Sequence, residues 1–412
     1  MPFESEKGFC PKDAMQLLNN LGPEVWESMV RHRRHLHKHP EVGIDLPDTH
    51  LYVLQELEGL GLLPEFHPGA GISVTIPGKV RGKLPIIFRA DMDALPVEEA
   101  SGSLLRSERP GAMHACGHDL HTAVLLGVAQ DLITRPAARD VILVFQPGEE
   151  SDRGALKSLE HKNLQIEVSE VFAIHVNAVM PSGSIGFRHG TFMAAGDWFR
   201  LEIFGAGGHA SAPERVGNPI RLGSLFVEAL HALAEELSTE GFRVVATTTE
   251  FLSGNAINVI PARGSLRGTL RTVSQSQRDV LHSRMQELTD ELERTHELSL
   301  SLSISEGYPA VVSDDEFLGQ LLGLISEQGF PSVQRMLVPS MVIEDFSYFL
   351  KRWPGAMVYV GAAVGDNPFF NHSAQAEFDE EAMKTGFALF RALAPVAYLN
   401  WNSGFMGVPT VT

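Results

Sequence analysis

The chain is poor in cysteine and has no long apolar runs. Its 412 residues include only two cysteines, Cys10 and Cys116, too far apart for a disulfide framework, so we expect a reducing, cytoplasmic compartment. No run of about 18 apolar residues is present, which excludes a membrane-spanning helix. The first residues lack the basic start and apolar run of a signal peptide, so none is expected.

Basic residues are also in deficit. Lys plus Arg number 33 against 51 Asp plus Glu, so the net charge is −18. This charge argues against nucleic acid and anionic membrane surfaces as partners. A small anionic substrate stays possible, because a local arginine outweighs distant charges once salt screens them.

Alternating strand and helix patterns predict an α/β fold. Two helices are expected early, in PEVWESMVRHRRHLHKH and in LPDTHLYVLQELEGLG. Short runs of branched apolar residues follow, including GISVTI, PIIFRA, DVILVFQ and VFAIHV, with helical stretches such as DLHTAVLLGVAQDLI between some of them. A similar run, AMVYVGA, comes near residue 360. Such a pattern predicts a buried, mostly parallel central sheet.

The pattern changes between residues 192 and 306. There the order of elements is strand, helix, strand, strand, helix, strand, which is typical of a ferredoxin-like α+β module. We therefore expect a discontinuous catalytic domain, built from residues 1–191 and 307–412, with a module of residues 192–306 inserted as a lid or dimerisation domain.

Polar residues follow several of the predicted α/β strands. Asp91 and Asp93 come after PIIFRA, Glu149 and Glu150 after VILVFQPG, and His175 after VFAI. Ligands of open α/β sheets bind beyond the carboxyl ends of the strands, so these groups should converge. Carboxylates and imidazoles gathered at one point repel each other or lack partners unless a cation lies among them. The arrangement predicts a divalent metal centre.

The segment MHACGHDLH fits such a centre. Cys116 and His118 precede a predicted helix that Asp119 is expected to cap. The helix N-terminus should lower the pKa of the thiol, and a thiolate can bridge two metals. A structural zinc site is not expected, because a second close pair of Cys or His ligands is missing.

These motifs together resemble one family, the metal-dependent amidohydrolases that cleave N-acyl amino acids. It comprises hippurate hydrolases, bacterial aminoacylases and plant indole-acetyl-amino-acid hydrolases, a branch of the dinuclear metallo-exopeptidases. The similar segments are RRHLHKHPE (33–41), FRADMDALPVEE (88–99), MHACGHDLHTA (113–123), FQPGEE (145–150), AIHVNAVMPSG (173–183), GAGGHASAP (205–213), NVIPARGSLRGTLR (258–271), EDFSYFL (344–350) and NHSAQAEFDEE (371–381).

The resemblance implies two divalent ions, Zn, Mn, Co or Ni. Cys116 would bridge them, with His118 and His175 completing one site and Glu150 and His372 the other. It further implies the role of each remaining site residue: Glu149 as catalytic base, Asp93 as the carboxylate that orients the site, His209 as an oxyanion donor from a partner subunit, and Asn258 and Arg271 as substrate-binding residues. A homodimer or higher homo-oligomer is then expected.

Several alternatives stay open. The substrate class could instead be dipeptides or peptides cleaved by a carboxypeptidase, and a remote alternative is a non-catalytic binding protein on the same scaffold. Asp91 competes with Asp93 for the role of orienting the site, and His121 could either support the metal ligands or only pack in the core.

The basic run RHRRHLHKH is interpreted as a solvated helix face around buried Leu36, not as a nucleic-acid site. Departures from the family pattern at Ala206, Glu214, Asn218 and Ile343 lie where a lid would meet substrate.

Overall fold

A computed structural model describes residues 3–5, 21–150, 153–296, 298–328, 330, 332–366 and 368–394. The strands in this part of the chain are β1 (Phe3–Ser5), β2 (Glu65–His67), β3 (Gly71–Ile76), β4 (Ile86–Asp91), β5 (Val141–Gln146), β6 (Glu170–Asn177), β7 (Ile185–Phe187), β8 (Gly190–Met193), β9 (Ala195–Phe204), β10 (Gly208–His209), β11 (Val245–Ser253), β12 (Val259–Ile260), β13 (Arg263–Thr272), β14 (Ser299–Glu306), β15 (Val311–Ser313), β16 (Val333–Met336) and β17 (Gly355–Gly361). The α-helices are α1 (Pro23–Lys38), α2 (Pro47–Gly59), α3 (His118–Thr134), α4 (Gly154–Ser158), α5 (Pro219–Leu237), α6 (Gln275–His296), α7 (Asp315–Gln328), α8 (Ser347–Arg352) and α9 (Ala382–Leu393).

The larger sheet has the strand order β1-β16-β7-β17-β6-β4-β5-β3-β2. Its central strands β17, β6, β4 and β5 run parallel, and antiparallel pairings extend the sheet on both sides. The residues of β4, β5, β6 and β17 are all buried, as expected for strands covered on both faces. The predicted α/β fold with a parallel centre is confirmed.

A second, four-stranded antiparallel sheet has the order β11-β13-β9-β14. In its central strands β9 and β13 buried residues alternate with more exposed ones. Helices α5 and α6 pack on the buried face through a separate apolar cluster that includes Phe226 and Leu281. The predicted ferredoxin-like insert is therefore present. We propose that its boundaries lie at residues 192 and 306, as the sequence pattern suggests.

The interpretation of the basic run on α1 as a solvated face is only partly right. Leu36 is buried as expected, but Arg33 and His37 are buried too. Arg33 pairs with Asp119 and Glu380, and His37 Nδ1 lies 2.8 Å from Asp119 Oδ2. The side chains of Arg33 and His37 lie in the interface where α1 packs on α3. Their burial is possible because acidic partners from distant parts of the chain neutralise them.

Asp119 is not the N-cap of α3, contrary to the sequence prediction. The residue before the helix is Gly117, in a left-handed conformation with φ of 85° and without a side-chain cap. Asp119 lies in the first turn, where its carboxylate is engaged by Arg33 and His37. A Cβ on Gly117 would approach Val176 Cγ2 to 2.3 Å, so both the backbone conformation and the space require glycine here.

None of the described helices combines the length and apolar character needed to cross a bilayer. This agrees with the absence of a long apolar run in the sequence.

Asp197 ties together the two ends of the inserted module. Its buried carboxylate accepts hydrogen bonds from the guanidinium of Arg278, with Nε at 2.8 Å, and from the backbone N–H of Gly307 at 2.9 Å. Nε2 of His282 lies 2.8 Å away. Asp197 lies near the start of β9, Arg278 lies on α6, and Gly307 follows β14. The point where the chain enters the module is thus joined to the point where it leaves.

We expect Asp197→Ala to lower the free energy of unfolding by about 3 kcal/mol, because it leaves the buried guanidinium of Arg278 without its counter-ion. Urea denaturation measures this change. The matched control is Glu250→Ala, which removes the exposed pair with Arg267 and should leave the stability nearly unchanged. Equal effects of the two substitutions would contradict the assigned importance of Asp197.

Candidate metal centre

The predicted site residues of the α/β part meet at the carboxyl edge of the larger sheet. Glu149 and Glu150 follow β5, and His175 lies near the end of β6. Cys116 and His118 come from the start of α3, while His372 comes from the segment between β17 and α9. His372 is exposed, whereas Cys116, His118, Glu149 and His175 are buried.

Two groups of potential ligand atoms share Cys116. In one, the donor atoms of Cys116, His118 and His175 all lie within 4.8 Å of one another. In the other, those of Cys116, Glu150 and His372 do so. The Sγ of Cys116 is 3.4 Å from His175 Nε2 and 3.3 Å from His372 Nε2. The structure thus brings together the same two sets that the resemblance implies.

The rings of His118 and His175 are both held by their Nδ1 atoms. Nδ1 of His118 donates to the backbone carbonyl of Asp93 at 2.8 Å, and Nδ1 of His175 donates to that of Val176 at 2.8 Å. When the two rings are neutral, each Nε2 keeps a free lone pair that faces the cluster. The charges of Asp91 and Cys116 raise the pKa of His118 despite its burial, so a metal ion would have to displace a proton from this ring. Nε2 of His118 is buried without a hydrogen-bond partner. Burial, with the neighbouring His121, lowers the pKa of His175 to about 3, so this ring is neutral.

Asp93 fixes the turn that carries the two glutamates. Its carboxylate accepts the backbone N–H of Glu149 at 3.0 Å and that of Glu150 at 3.1 Å. Residues 149 and 150 form a turn and not extended backbone. Both carboxylates reach the side of His118, where their oxygens and a ring nitrogen lie within 4.8 Å of one another.

Glu149 occupies a strongly acidic environment. It is 5 % exposed, and one of its oxygens lies within 4.8 Å of oxygens from Glu344 and Asp345. Burial, reinforced by the charges of Glu344 and Glu150, raises the pKa of Glu149 well above its usual range. A carboxylate with a raised pKa holds a proton more readily, which suits a group that must accept and release one.

Arg89 is a buried residue beside the site that the sequence did not indicate. Its buried guanidinium contacts Asp91 at 2.7 Å and both Glu344 and Asp345 at 3.0 Å. Asp345 also accepts hydrogen bonds from Gln146 and from the backbone N–H of Ala155. The motifs FRADMDALPVEE and EDFSYFL carry these residues, but nothing in their local spacing indicates that the two segments meet.

His121 and Asp91 lie next to the ligand cluster and are hydrogen-bonded to each other. Nδ1 of His121 donates to Asp91 at 2.6 Å, and its Nε2 accepts the backbone N–H of Val176 at 2.8 Å. Both ring nitrogens are thereby used, so His121 has no lone pair left for a metal. Asp91 neutralises part of the charge of Arg89 and orients His121. Of the two aspartates, Asp93 is the one whose carboxylate accepts the backbone N–H groups of Glu149 and Glu150.

The pKa of the Cys116 thiol is shifted in the direction opposite to the expected one. Its position before α3 suggested a lowered pKa, but burial, with the charge of Glu150, raises the pKa of Cys116. The effect of the helix end is outweighed because the sulfur is removed from water and faces a carboxylate. A divalent cation would reverse this balance, since metal coordination deprotonates a thiol outright.

His372 is held mainly through its backbone. It adopts a left-handed conformation with φ of 71°, and its N–H donates to the carbonyl of Ala115 at 2.8 Å. The residue before it, Asn371, makes side-chain hydrogen bonds to the segments of Cys116 and of Val176. The imidazole Nε2 of His372 lies 3.2 Å from Glu150 Oε1.

The predicted residues of the inserted module lie elsewhere. His209 and Asn258 are exposed and lie at the small two-stranded sheet of β10 and β12, where the Asn258 carbonyl accepts the N–H of Ala210. Within the described residues neither contacts the cluster around Cys116. Arg271 is half-buried beside Ile343, which directly precedes Glu344; a Cβ on Gly196 would meet both side chains.

The donor set around Cys116 fits two divalent ions. Bonds of about 2.0–2.3 Å from a tetrahedral ion to nitrogen and sulfur place two of its ligands about 3.5 Å apart, which the measured nitrogen–sulfur distances match. Nε2 of His118 is buried and lacks a hydrogen-bond partner, an arrangement that is costly unless a cation satisfies it. Thiolate, imidazole and carboxylate ligands suit Zn, Mn, Co or Ni.

Known proteins with similar sequences include hydrolases of several kinds. Thermostable carboxypeptidase 2 of Saccharolobus solfataricus is 31% identical over 399 residues, which cover 94% of this chain and 100% of that protein. IAA-amino acid hydrolase ILR1-like 2 of Arabidopsis thaliana is 32% identical, covering 97% of this chain and 92% of its own. N-acetyldiaminopimelate deacetylase of Enterococcus faecalis is 31% identical, covering 87% and 95%.

Solved structures agree with these sequence matches. A Staphylococcus aureus protein described as an aminohydrolase superposes with a TM-score of 0.84 at 30% identity, covering 92% of this chain and 98% of its own. YXEP of Bacillus subtilis, described as a dinuclear metal-binding peptidase, superposes with a TM-score of 0.78 at 28% identity, covering 90% and 98%. Residues 87–395 match the profile of peptidase family M20/M25/M40. The chain therefore belongs to this family of metal-dependent amidohydrolases and peptidases.

Proposed function

We propose that this enzyme hydrolyses the amide bond of N-acyl amino acids, with two divalent ions and Glu149 as the catalytic base. The observation that carries the proposal is the pair of ligand groups that share Cys116 and lie next to the buried carboxylate of Glu149. The relatives named as an IAA-amino acid hydrolase and an N-acetyldiaminopimelate deacetylase support the substrate class.

Five residues would hold the ions. Cys116 would bridge the two, with His118 and His175 completing one site and Glu150 and His372 completing the other. Divalent ions bound there would lower the pKa of a coordinated water to about 7 and would polarise the scissile carbonyl. Zn, Mn, Co and Ni are all compatible with these ligands.

The protein itself supplies the proton transfers. The carboxylate of Glu149 accepts the proton of the attacking water and then delivers it to the nitrogen of the leaving amino acid. Asp93 supports this step because its carboxylate holds the backbone N–H groups of Glu149 and Glu150. Arg89 in turn compensates the acidic residues that lie behind Glu149.

Three residues of the inserted module would bind the substrate. Arg271 has no carboxylate partner among the described residues and lies beside the segment of Glu344, so its guanidinium is available for the carboxylate of the amino acid. His209 and Asn258 are exposed, and we propose that they serve the site of a second subunit, His209 as an oxyanion donor and Asn258 as a ligand of the substrate carbonyl. The assembly would then be a homodimer or higher homo-oligomer, acting in the cytoplasm.

A second candidate is a carboxypeptidase-type exopeptidase. The thermostable carboxypeptidases that resemble this chain favour it. Both activities need a free carboxylate on the leaving side. They differ on the other side of the scissile bond, where N-acyl amino acids carry no amine and dipeptides carry a charged one.

The substrate class is tested with matched pairs, such as N-acetylalanine against glycylalanine. We expect higher kcat/KM for the acyl compounds, because burying the ammonium of a dipeptide needs an acidic partner. Arg271→Met should raise KM for all substrates that carry a carboxylate and should matter little for their amides. A clear preference for dipeptides would instead support the exopeptidase.

Replacing the base should separate chemistry from metal binding. We expect Glu149→Gln to lower kcat by about 100- to 10,000-fold, because the amide cannot accept the proton. Metal content, measured by elemental analysis, should stay that of the wild type. The control Glu377→Gln changes a carboxylate outside the cluster and should keep full activity. Full activity of Glu149→Gln would show that another group is the base.

The chain's two cysteines give a direct test of the bridge. Cys116→Ser should lose most of its bound metal and its activity, because a neutral hydroxyl replaces the thiolate shared by both ions. Cys10→Ser should retain both. Chelation of the wild type should abolish activity, and added Zn²⁺, Mn²⁺, Co²⁺ or Ni²⁺ should restore it to different extents. Normal metal content in Cys116→Ser would argue against the bridge.

A further inference from the structure

We infer that Asn371 is a positioning residue that places His372 against Cys116 and thereby sets the affinity of the second ion. The inference rests on the proposed function, in which His372 and Glu150 hold that ion. Asn371 itself is not one of the proposed ligands, because its Oδ1 already accepts the backbone N–H of Ala178. Its proposed role follows from the hydrogen bonds by which its side chain joins the segment of His372 to the Cys116 segment and to the end of β6.

The side-chain amide of Asn371 is fully engaged. Its Oδ1 accepts the backbone N–H of Ala178 at 3.0 Å. Its Nδ2 donates to the carbonyls of Val176 at 3.1 Å and Cys116 at 3.3 Å, and lies 3.9 Å from the Cys116 sulfur. One side chain therefore fastens the segment before His372 to the end of β6 and to the Cys116 segment at once.

His372 needs this support more than the other two histidines do. His118 lies at the start of α3 and His175 within β6, and each ring is oriented by a hydrogen bond from Nδ1 to a carbonyl. His372 lies outside any helix or strand, and no described residue provides a hydrogen-bond partner for its Nδ1. A second hydrogen bond usually fixes a ligating ring, so here its place must be set through the backbone.

The backbone of His372 is itself in an uncommon conformation. Its φ of 71° is left-handed, which few residues other than glycine adopt without support from their surroundings. The N–H of His372 donates to Ala115, and Asn371 binds Cys116 from the adjacent position. Removal of the Asn371 amide leaves one of these two attachments, so the ring would sample positions away from the sulfur and from Glu150.

The test measures Mn²⁺ binding to chelator-treated protein by isothermal titration calorimetry. The wild type should take up two ions. Asn371→Leu should bind one ion with wild-type affinity and the other about 10- to 100-fold more weakly, the usual loss when a residue supporting a ligand is removed. His372→Ala, which removes the ligand itself, provides the reference for a protein with one impaired site.

Two further variants separate positioning from general stability. Asn163→Leu is the matched control, because Asn163 also donates a side-chain hydrogen bond, to Ser73, but lies outside the cluster. It should bind both ions normally, and the metal-free melting temperature of Asn371→Leu should fall no further than that of this control. Asn371→Ser, whose hydroxyl is too short to span the same acceptors, should repeat the loss at one site if the leucine variant folds poorly.

The outcomes are distinguishable. Wild-type affinity for both ions in the two Asn371 variants would overturn the inference alone. Equal weakening of both ions, together with a melting temperature well below that of Asn163→Leu, would also overturn it, since the role would then be structural. A wild type that binds fewer than two ions would remove the proposed function and the inference with it.

Discussion

The structure depends on how it compensates a concentration of buried negative charge at one edge of the sheet. Asp91, Glu149, Glu344 and Asp345 are all buried around the guanidinium of Arg89, and the thiol of Cys116 lies near. One arginine cannot balance all of these groups, and burying an uncompensated carboxylate is costly. Protons held by groups such as Glu149 are one remedy, and divalent cations are the other. The acidic environment is therefore as much a part of the metal centre as the ligands.

Local sequence patterns predicted most of the fold and of the centre. The runs GISVTI and VILVFQ are strands β3 and β5 because branched apolar residues suit a sheet covered on both faces. The convergence of Glu150 and His175 followed from the common direction of parallel strands. The grouping around Cys116 came from the resemblance to a family, and the position of His372 could not have been obtained from spacing alone.

What the sequence could not predict depends on distant contacts. Arg89 binds Glu344, 255 residues away, and no local pattern indicates that pairing. Arg33 and His37 looked solvated because their acidic partners lie on α3 and near α9. The dipole argument for Cys116 was local as well, and it failed because burial and Glu150 act on the same sulfur. The turn at Glu149 and Glu150 likewise required knowing where Asp93 lies.

The position of β17 has a consequence for synthesis on the ribosome. Strands β6 and β7 follow each other in the chain, yet β17 lies between them in the sheet and pairs with both. A nascent chain that has emerged only as far as β14 carries Cys116, His118, Glu150 and His175, but lacks β17 and His372. Domains fold as units during translation, so the inserted module can form first while the larger sheet waits for its central strand. If His372 is a metal ligand as proposed, the second ion site would be completed only after nearly the whole polypeptide has left the ribosome.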